Sequence, residues 1–208
     1  MEGLEGKIVY FEKVGRENTE TTLSIAKARA EELGIQTIVV ASTYGDTAAR
    51  AVEVFEGFRV IVVSHVTGHR DPDTHEFTAE NRQKVESKGV PILSAAHAFT
   101  GGVNVAMRRK FNMYLLGDVI ASVLRIFGQG MKVVCEVALM AADAGLVRTD
   151  ENVIVISGSG RGADTAVVLK PVNSINFFDL KIQEILCKPH LAVTRERQEV
   201  AATGHHHP

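Results

Sequence analysis

The chain has 208 residues, of which 45% are hydrophobic and 23% are charged, and its formal net charge is −2. These values are typical of one globular domain, and they exclude a disordered chain or a strongly basic one, so we expect no nucleic-acid partner. Two cysteines, a start without a signal peptide and the lack of any apolar run of about 18 residues predict a cytoplasmic protein with no membrane span.

Short β-rich runs alternate with helical spacing in the first half of the chain. The predicted strands cover residues 8–11, 37–40, 60–63 and 90–93. The helices between them end at Gly34, near residue 56 and at Gly89, and Thr78 is a candidate cap for the third helix. Continuous apolar character in the second and third strands is typical of parallel strands that are buried on both faces.

The second half begins with residues 95–112, where the Gly101-Gly102 pair indicates a loop. Apolar spacing then predicts helices over about 119–127 and 134–141. Residues 153–156 form the clearest strand of the chain. Strict alternation breaks down after Thr165, where two further strand candidates, 166–169 and 182–186, follow each other.

The alternation predicts an α/β fold, a three-layer α/β/α sandwich with a mainly parallel, mixed sheet. We expect one domain over residues 1–200 and a flexible tail over 201–208. In such sheets, ligands bind at the carboxyl ends of the strands. The candidate ligand-binding loops are therefore the four that start at Ser42, Ser64, Ser94 and Ser157.

The loop after the second strand is a candidate phosphate site. It leaves a buried strand and leads into a helix, whose first amides are unpaired and favour an anion. A glycine in this loop would let the backbone approach a ligand closely. The candidate contacts are Ser42, Thr43, Tyr44, Gly45, Asp46 and Thr47. A plain turn capped by Asp46 or Ser42 is the alternative.

The loop after the clearest strand is a second candidate phosphate site. Its successive amides could form an anion-binding concavity, and its arginine would add a fixed charge. The candidate contacts are Gly158, Ser159, Gly160, Arg161 and Gly162. Their spacing matches neither the dinucleotide fingerprint nor a P-loop. A flexible loop without a ligand is the alternative.

A third loop, residues 64–77, is rich in histidine and acidic residues and admits three interpretations. The first is ligand binding or proton transfer, with Thr67, His69 and Arg70 as candidate contacts. The second is a metal site, and the third is a solvated loop. The metal ligands would be His65, His69 or His75 with Asp71 or Asp73. This spacing matches no recognised metal motif, so we assign no metal.

Two residues outside these loops, His97 and Cys135, carry side chains with possible chemical roles. His97 follows the fourth strand and could join the same site, although a lone histidine among small apolar residues is more often structural. Cys135 lies in an apolar helix, where we expect it to be buried.

Two of the loops carry a resemblance to a known family. Residues 19–20 and 38–48, with the pattern Ser42-x-x-Gly45-x-Thr47-Ala48, resemble the C-terminal α/β domain of pyruvate kinases. Residues 138–146, 153–160 and 164–168 are similar to the second half of that domain. In many pyruvate kinases these two loops hold the phosphates of an allosteric sugar bisphosphate.

The chain also departs from pyruvate kinases. It has no barrel domain, so we expect no pyruvate kinase activity, and it carries an insertion over about 65–130. In both respects it resembles a small group of stand-alone, mainly archaeal proteins that are associated with bound FMN. The resemblance implies FMN as cofactor and a flavin-dependent oxidoreductase as one function. A non-catalytic sensor of a phosphorylated metabolite, such as a sugar bisphosphate, is the alternative; a metal-dependent hydrolase is a third.

The helices of the insertion carry more apolar surface than one face of a sheet needs, which predicts a homo-oligomer. The residues that support this prediction are Val119, Ile120, Val123, Ile126, Phe127, Met131 and Val134.

Overall fold

A single seven-stranded sheet organises the protein in the computed structural model, which describes residues 5–190. Its strands are β1 (Val9–Phe11), β2 (Thr37–Ala41), β3 (Arg59–Ser64), β4 (Ile92–Ser94), β5 (Val153–Ser157), β6 (Thr165–Lys170) and β7 (Lys181–Pro189). Its helices are α1 (Thr19–Leu33), α2 (Asp46–Val54), α3 (Ala79–Glu86), α4 (Val103–Phe111), α5 (Leu116–Arg125) and α6 (Gln129–Asp143). Two short 3₁₀ helices cover Arg16–Asn18 and Ser174–Asp179.

The strand order β1-β7-β6-β5-β2-β3-β4 confirms the predicted mixed, mainly parallel sheet. Only β6 is antiparallel to its neighbours, β5 and β7, within the described residues. All other neighbouring strands are parallel. Val39 of β2 lies opposite Val155 of β5, so the loops that leave these two strands start side by side at one edge of the sheet.

Apolar residues on both faces of the sheet form two cores and confirm the three-layer sandwich. Ile38 and Val40 face the core that contains residues of α1, α2 and α3. Val39 faces the other core, which is built mainly from α6 with Ala121 of α5. This alternation follows from the period of two in a strand. Each fully buried aliphatic side chain contributes about 1.5–3 kcal/mol to stability.

Local signals set several of the helix boundaries as predicted. Gly34 ends α1 in the left-handed region at φ 66°. Thr78 caps α3, because its hydroxyl accepts a hydrogen bond from the amide of Asn81 at 3.2 Å. Residues 95–112, for which the sequence indicated only a loop, contain α4.

The predicted insertion, about 65–130, contributes α3, β4, α4 and α5. Strand β4 extends the sheet beside β3, so this segment is integrated into the fold. The predicted limits of the domain and its tail, 1–200 and 201–208, fall partly or wholly outside the described residues. No helix within residues 5–190 combines the length and the apolar character that a membrane span requires.

The apolar surface predicted for an oligomer is only partly exposed. Met131 is 3% exposed and Val134 is fully buried, so both belong to the core under α6 and their assignment to a surface was wrong. Ile120 is half-buried against the same core. Nine exposed apolar residues do lie on α4, α5 and their flanks, and we call this set the α4–α5 face. It consists of Val103, Phe111, Met113, Tyr114, Leu116, Val119, Val123, Ile126 and Phe127.

Candidate functional site

The carboxyl ends of β2, β3 and β5 border an open cavity of about 580 Å³. Both glycine loops line this cavity, because β2 and β5 are neighbours in the sheet. The first loop contributes Ser42, Thr43, Tyr44, Asp46 and Thr47, and the second contributes Gly158, Gly160, Arg161 and Gly162. The structure thus brings together ten of the fourteen predicted contacts, including Arg70 of the third loop.

The start of α2 forms one wall of the cavity. Gly45 is its N-cap and has no side chain to accept a hydrogen bond from the first turn. The Ser42 hydroxyl accepts one from the Ala48 amide at 3.3 Å, which is the role that the plain-turn interpretation gave it. Thr43 and Thr47 add hydroxyls beside the positive end of the helix dipole. This wall therefore suits an anion.

The sequence analysis expected Gly45 to let the backbone approach a ligand. In the structure, close packing against Phe77 and Asn81 requires a glycine at this position. A Cβ atom there would lie 2.5 Å from both Phe77 Cε1 and Asn81 Cβ, and the residue has φ +92°. Gly45 is not among the residues that line the cavity. The glycine therefore serves the packing of the segment around α3 against the first loop.

The second loop is organised around a buried carboxylate. Asp164 is fully buried and accepts hydrogen bonds from the amides of Gly15 and Ser159, both at 3.1 Å. The hydroxyl of Thr165 donates to it at 2.9 Å. Ser159, predicted to contact a ligand, is thus engaged with Asp164 and does not line the cavity. Part of the predicted anion-binding concavity is filled by the protein's own carboxylate.

Arg161 and Asp46 connect the two glycine loops. Nε and Nη2 of Arg161 donate to Asp46 Oδ2 at 2.8 and 2.6 Å. Asn81 donates to the other carboxylate oxygen of Asp46 at 3.1 Å. Desolvation would raise the pKa of Asp46, but the hydrogen bond and charge of Arg161 outweigh it and hold this pKa below its ordinary value. Arg161 is therefore partly neutralised inside the cavity.

The third loop divides its predicted residues between the cavity and solvent. Arg70 lines the cavity and donates from Nη2 to the Tyr44 hydroxyl at 2.7 Å. Thr67 and His69 are exposed and do not line the cavity. His75 has a structural role, because its Nδ1 accepts a hydrogen bond from the Phe77 amide at 3.0 Å and its Nε2 lies 3.0 Å from the Ser94 hydroxyl.

Three histidines cluster at the side of the cavity nearest β3 and β4. The ring of His65 lies 4.4 Å from that of His69 and 4.9 Å from that of His97. His97, which the sequence left open, thus joins the site and lines the cavity. Burial, followed by the charges of His97 and His69, lowers the pKa of His65 to about 4. His65 is therefore neutral at pH 7.

A buried ion pair on α6 lies beside the histidine cluster, with Glu136 Oε2 3.7 Å from His97 Nδ1, and was missed by the sequence analysis. Lys132 and Glu136 are 3% and 2% exposed and are hydrogen-bonded to each other. Glu136 also accepts from the amides of Phe99 at 3.0 Å and Thr100 at 3.3 Å. Burial lowers the pKa of Lys132 despite the nearby carboxylate. Two charged residues four apart within an apolar helix were the signal that could have revealed this pair.

Neither cysteine provides a nucleophile. Cys135 and Cys187 are both buried free thiols, as predicted for Cys135. Burial raises the pKa of Cys135 to about 12 and that of Cys187 to about 11. Thiolate, the reactive form, is therefore scarce at both positions near neutral pH.

Residues 20–169, most of the chain, match the family described as the pyruvate kinase alpha/beta domain. The chain belongs to this family. The match confirms the family resemblance, and with the mixed sheet it confirms the predicted fold class. In this pyruvate kinase alpha/beta domain, both glycine loops, the histidine cluster and the Lys132–Glu136 pair all lie within the matched residues. Strands β1 and β7 lie outside them.

In this pyruvate kinase alpha/beta domain, several positively charged side chains line the cavity. They make it suitable for an anionic ligand. Arg70 and Arg161 contact Tyr44 and Asp46 of the first loop, and Arg125, hydrogen-bonded to Gln129, lies on the α6 side. The Lys132 ammonium is compensated by Glu136. The remaining lining on that side, Thr100, Gln129, Val133 and Val137, mixes hydrogen-bonding and apolar groups. Such a cavity can bind a molecule with one charged end and one largely apolar end.

Proposed function

We propose that this protein binds a phosphorylated small molecule, FMN, in the cavity between the two glycine loops. The observation that carries the proposal is that both loops line the same open cavity, together with Arg70, Arg125 and Arg161. A single phosphate fits the start of α2, where Thr43 and Thr47 supply hydroxyls and the helix supplies its positive end. Arg161 lies beside this position, bound to Asp46.

The rest of the cavity suits a flat ring system. Its volume of about 580 Å³ falls in the range of small-molecule sites, about 300–1,000 Å³. Val133 and Val137 provide apolar contacts, and Thr100 and Gln129 provide polar groups for ring edges. The choice of FMN over other phosphorylated molecules rests on the resemblance to the stand-alone group, not on the pyruvate kinase alpha/beta domain match. Flavin chemistry would make the protein an oxidoreductase, in which the protein binds and orients the ring.

A sensor of a sugar bisphosphate is the second candidate function, and one observation favours it. Arg125 lines the cavity beside Gln129 of α6, which packs on the face of the sheet opposite α2, and it could bind a second phosphate there. FMN has only one phosphate and gives no role to this charge. The two functions therefore predict different ligand preferences.

Spectroscopy and titration test the proposal directly. The purified protein should be yellow, and mass spectrometry should identify the released chromophore as FMN. Stripped protein should bind FMN more tightly than riboflavin, because riboflavin lacks the phosphate. Tighter binding of fructose 1,6-bisphosphate than of FMN would favour the sensor. Failure of all three to bind, or equal binding of FMN and riboflavin, would contradict a phosphate site.

We further propose that the protein is a homo-oligomer of the cytoplasm. Support for assembly comes from the α4–α5 face, whose nine apolar residues are exposed in the single chain. Many exposed apolar residues in one segment are typical of protein interfaces. Support for the compartment comes from the two buried free thiols, which suit a reducing environment.

A further inference from the structure

Three side chains beside the cavity can surround a cation. One ligand atom each from His65, His69 and Glu76 lies within 4.8 Å of the others. His65 follows β3, and the other two residues belong to the loop that leads toward α3. We propose that His65, His69 and Glu76 form a binding site for a divalent transition-metal cation of the Zn²⁺ class. This site adjoins the proposed phosphate position through Thr43, but it does not require that a phosphate is bound.

The strongest indication is a buried carboxylate without a hydrogen-bond partner within residues 5–190. The Glu76 side chain is 9% exposed, and neither of its oxygens has a hydrogen-bond partner among the described residues. The same holds for His65 Nδ1, which lies 3.7 Å from Glu76 Oε1. This separation is too long for a hydrogen bond. Buried polar atoms are rarely left unpaired, so we expect a partner between these two groups.

The other nitrogen of His65 is already occupied in the manner of a metal ligand. His65 Nε2 lies 3.3 Å from the hydroxyl of Thr43. If Nε2–H donates to this hydroxyl, Nδ1 carries the lone pair and faces the Glu76 carboxylate. A lone pair that faces a carboxylate is unfavourable without a cation. Metal-binding histidines typically donate their second ring N–H to a neighbouring acceptor, which fixes the ring orientation. Thr43 would therefore position the His65 ring for metal binding.

The residue types define the class of cation. Two imidazoles and one carboxylate form a set that Zn²⁺ and related divalent ions bind, with a fourth position free for water or a ligand. Tetrahedral zinc at its usual bond lengths brings ligand atoms to about 3.3 Å from one another. The site must therefore contract slightly. His69 is exposed and can make this adjustment by rotation of its side chain.

Arg70 is the main competitor for Glu76. Its Nε lies 3.5 Å from Glu76 Oε1, but its Nη2 is hydrogen-bonded to the Tyr44 hydroxyl. The Arg70 side chain is 63% exposed, so it can move away when a cation binds. A positive charge this close would weaken metal binding, and its removal should strengthen it. Arg70→Ala therefore provides a variant with an effect opposite to the loss of a ligand.

The experiment uses the full-length chain with His205, His206 and His207 replaced by alanine, because these histidines can bind metal themselves. Chelator-treated, ligand-free protein is titrated with Zn²⁺ by calorimetry and with Co²⁺ by visible absorption. We expect one equivalent to bind. His69→Ala and Glu76→Gln should each weaken binding by at least about tenfold, the lower bound for changes around bound metals. Arg70→Ala should strengthen it.

His190→Ala is the matched control, since His190 lies beside β1 and β7 at the other end of the sheet. This variant should bind the metal as the parent does. Circular dichroism before titration verifies that each variant is folded. No saturable binding in the parent would overturn the proposal. So would unchanged affinity in folded His69→Ala and Glu76→Gln proteins. Because FMN is absent throughout, failure of this site would leave the proposed FMN site untouched.

Discussion

Arg161 donates two hydrogen bonds to one carboxylate oxygen of Asp46, at 2.6 and 2.8 Å, and thereby ties the two glycine loops to each other. Both residues line the cavity. The pair fixes the guanidinium close to the start of α2, where the proposed phosphate would lie. It also places a negative charge where an anion must bind, so the two residues should have opposite effects on affinity.

Arg161→Ala should weaken FMN binding by about 10- to 150-fold. This corresponds to about 1.5–3 kcal/mol, the range for hydrogen bonds to charged groups. Fluorescence titration of stripped protein with FMN measures the effect. Arg148→Ala is the control. Arg148 forms a similar exposed pair with Asp150 before β5, at the end of the strands opposite the cavity. Equal affinities in both variants would show that Arg161 does not contact the phosphate.

Asp46→Asn should strengthen FMN binding, and more so at low ionic strength. The substitution removes a negative charge from the cavity and frees Arg161 to pair with phosphate. Asparagine can still accept the hydrogen bond from Asn81, so the start of α2 should keep its structure. Titrations at two salt concentrations measure the difference. Weaker binding in this variant would show that Asp46 acts chiefly by positioning Arg161.

Gly45→Ala should destabilise the fold more than Gly57→Ala does. Both glycines have similar left-handed backbones, φ +92° and φ +88°. A side chain in this region costs about 1–2 kcal/mol. Only at Gly45 would the new Cβ also collide with Phe77 and Asn81, whereas nothing lies within 4 Å at Gly57. Overpacking adds about 1–3 kcal/mol. Urea unfolding of the two variants gives the comparison, and equal losses would argue against the packing role of Gly45.

Glutamate substitutions on the α4–α5 face should disperse the proposed oligomer. Leu116 and Ile126 are 74% and 72% exposed, so Leu116→Glu and Ile126→Glu should not disturb the core. Light scattering should show the parent as an oligomer and the variants as smaller species. Ile175→Glu is the control, since Ile175 is 89% exposed but lies outside this face. A monomeric parent at high micromolar concentration would contradict the prediction.

The sequence predicted the fold well because its strongest signals are local. Apolar runs such as residues 37–40 and 153–156 identify buried parallel strands without any knowledge of their neighbours. The resemblance then implied that the loops after them lie side by side, and β2 and β5 are indeed adjacent.

Contacts between distant residues could not be predicted in the same way. Arg161 and Asp46 are 115 positions apart, and Asp164 accepts from an amide 149 positions away. Gly45 and Ser159 were therefore interpreted as ligand contacts. In the structure, Gly45 packs against Phe77 and Asn81, and Ser159 binds the buried Asp164 carboxylate. Lys132 and Glu136 were missed because apolar spacing alone was used to identify α6. The spacing of the two charges was the local signal, and their partners Phe99 and Thr100 lie 37 and 36 positions from Glu136.

Lys132 and Glu136 should stabilise the fold as a unit, because each compensates the buried charge of the other. Lys132→Met leaves the buried Glu136 without its cation, and Glu136→Gln leaves a buried ammonium without its anion. Each single substitution should lower the free energy of unfolding by about 3–5 kcal/mol, because an uncompensated buried charge is costly. The double variant leaves neither charge, and glutamine can still accept from the Phe99 amide.

The double variant should therefore lose much less stability than the sum of the two single losses. Urea unfolding of ligand-free protein at pH 7 measures all four corners of this cycle. Arg125→Met is the control, since Arg125 also lines the cavity but its hydrogen bond to Gln129 is exposed, so its loss should be small. Additive losses in the cycle would mean that the two charges are stabilised separately, Lys132 by Thr100 and Glu136 by the backbone amides.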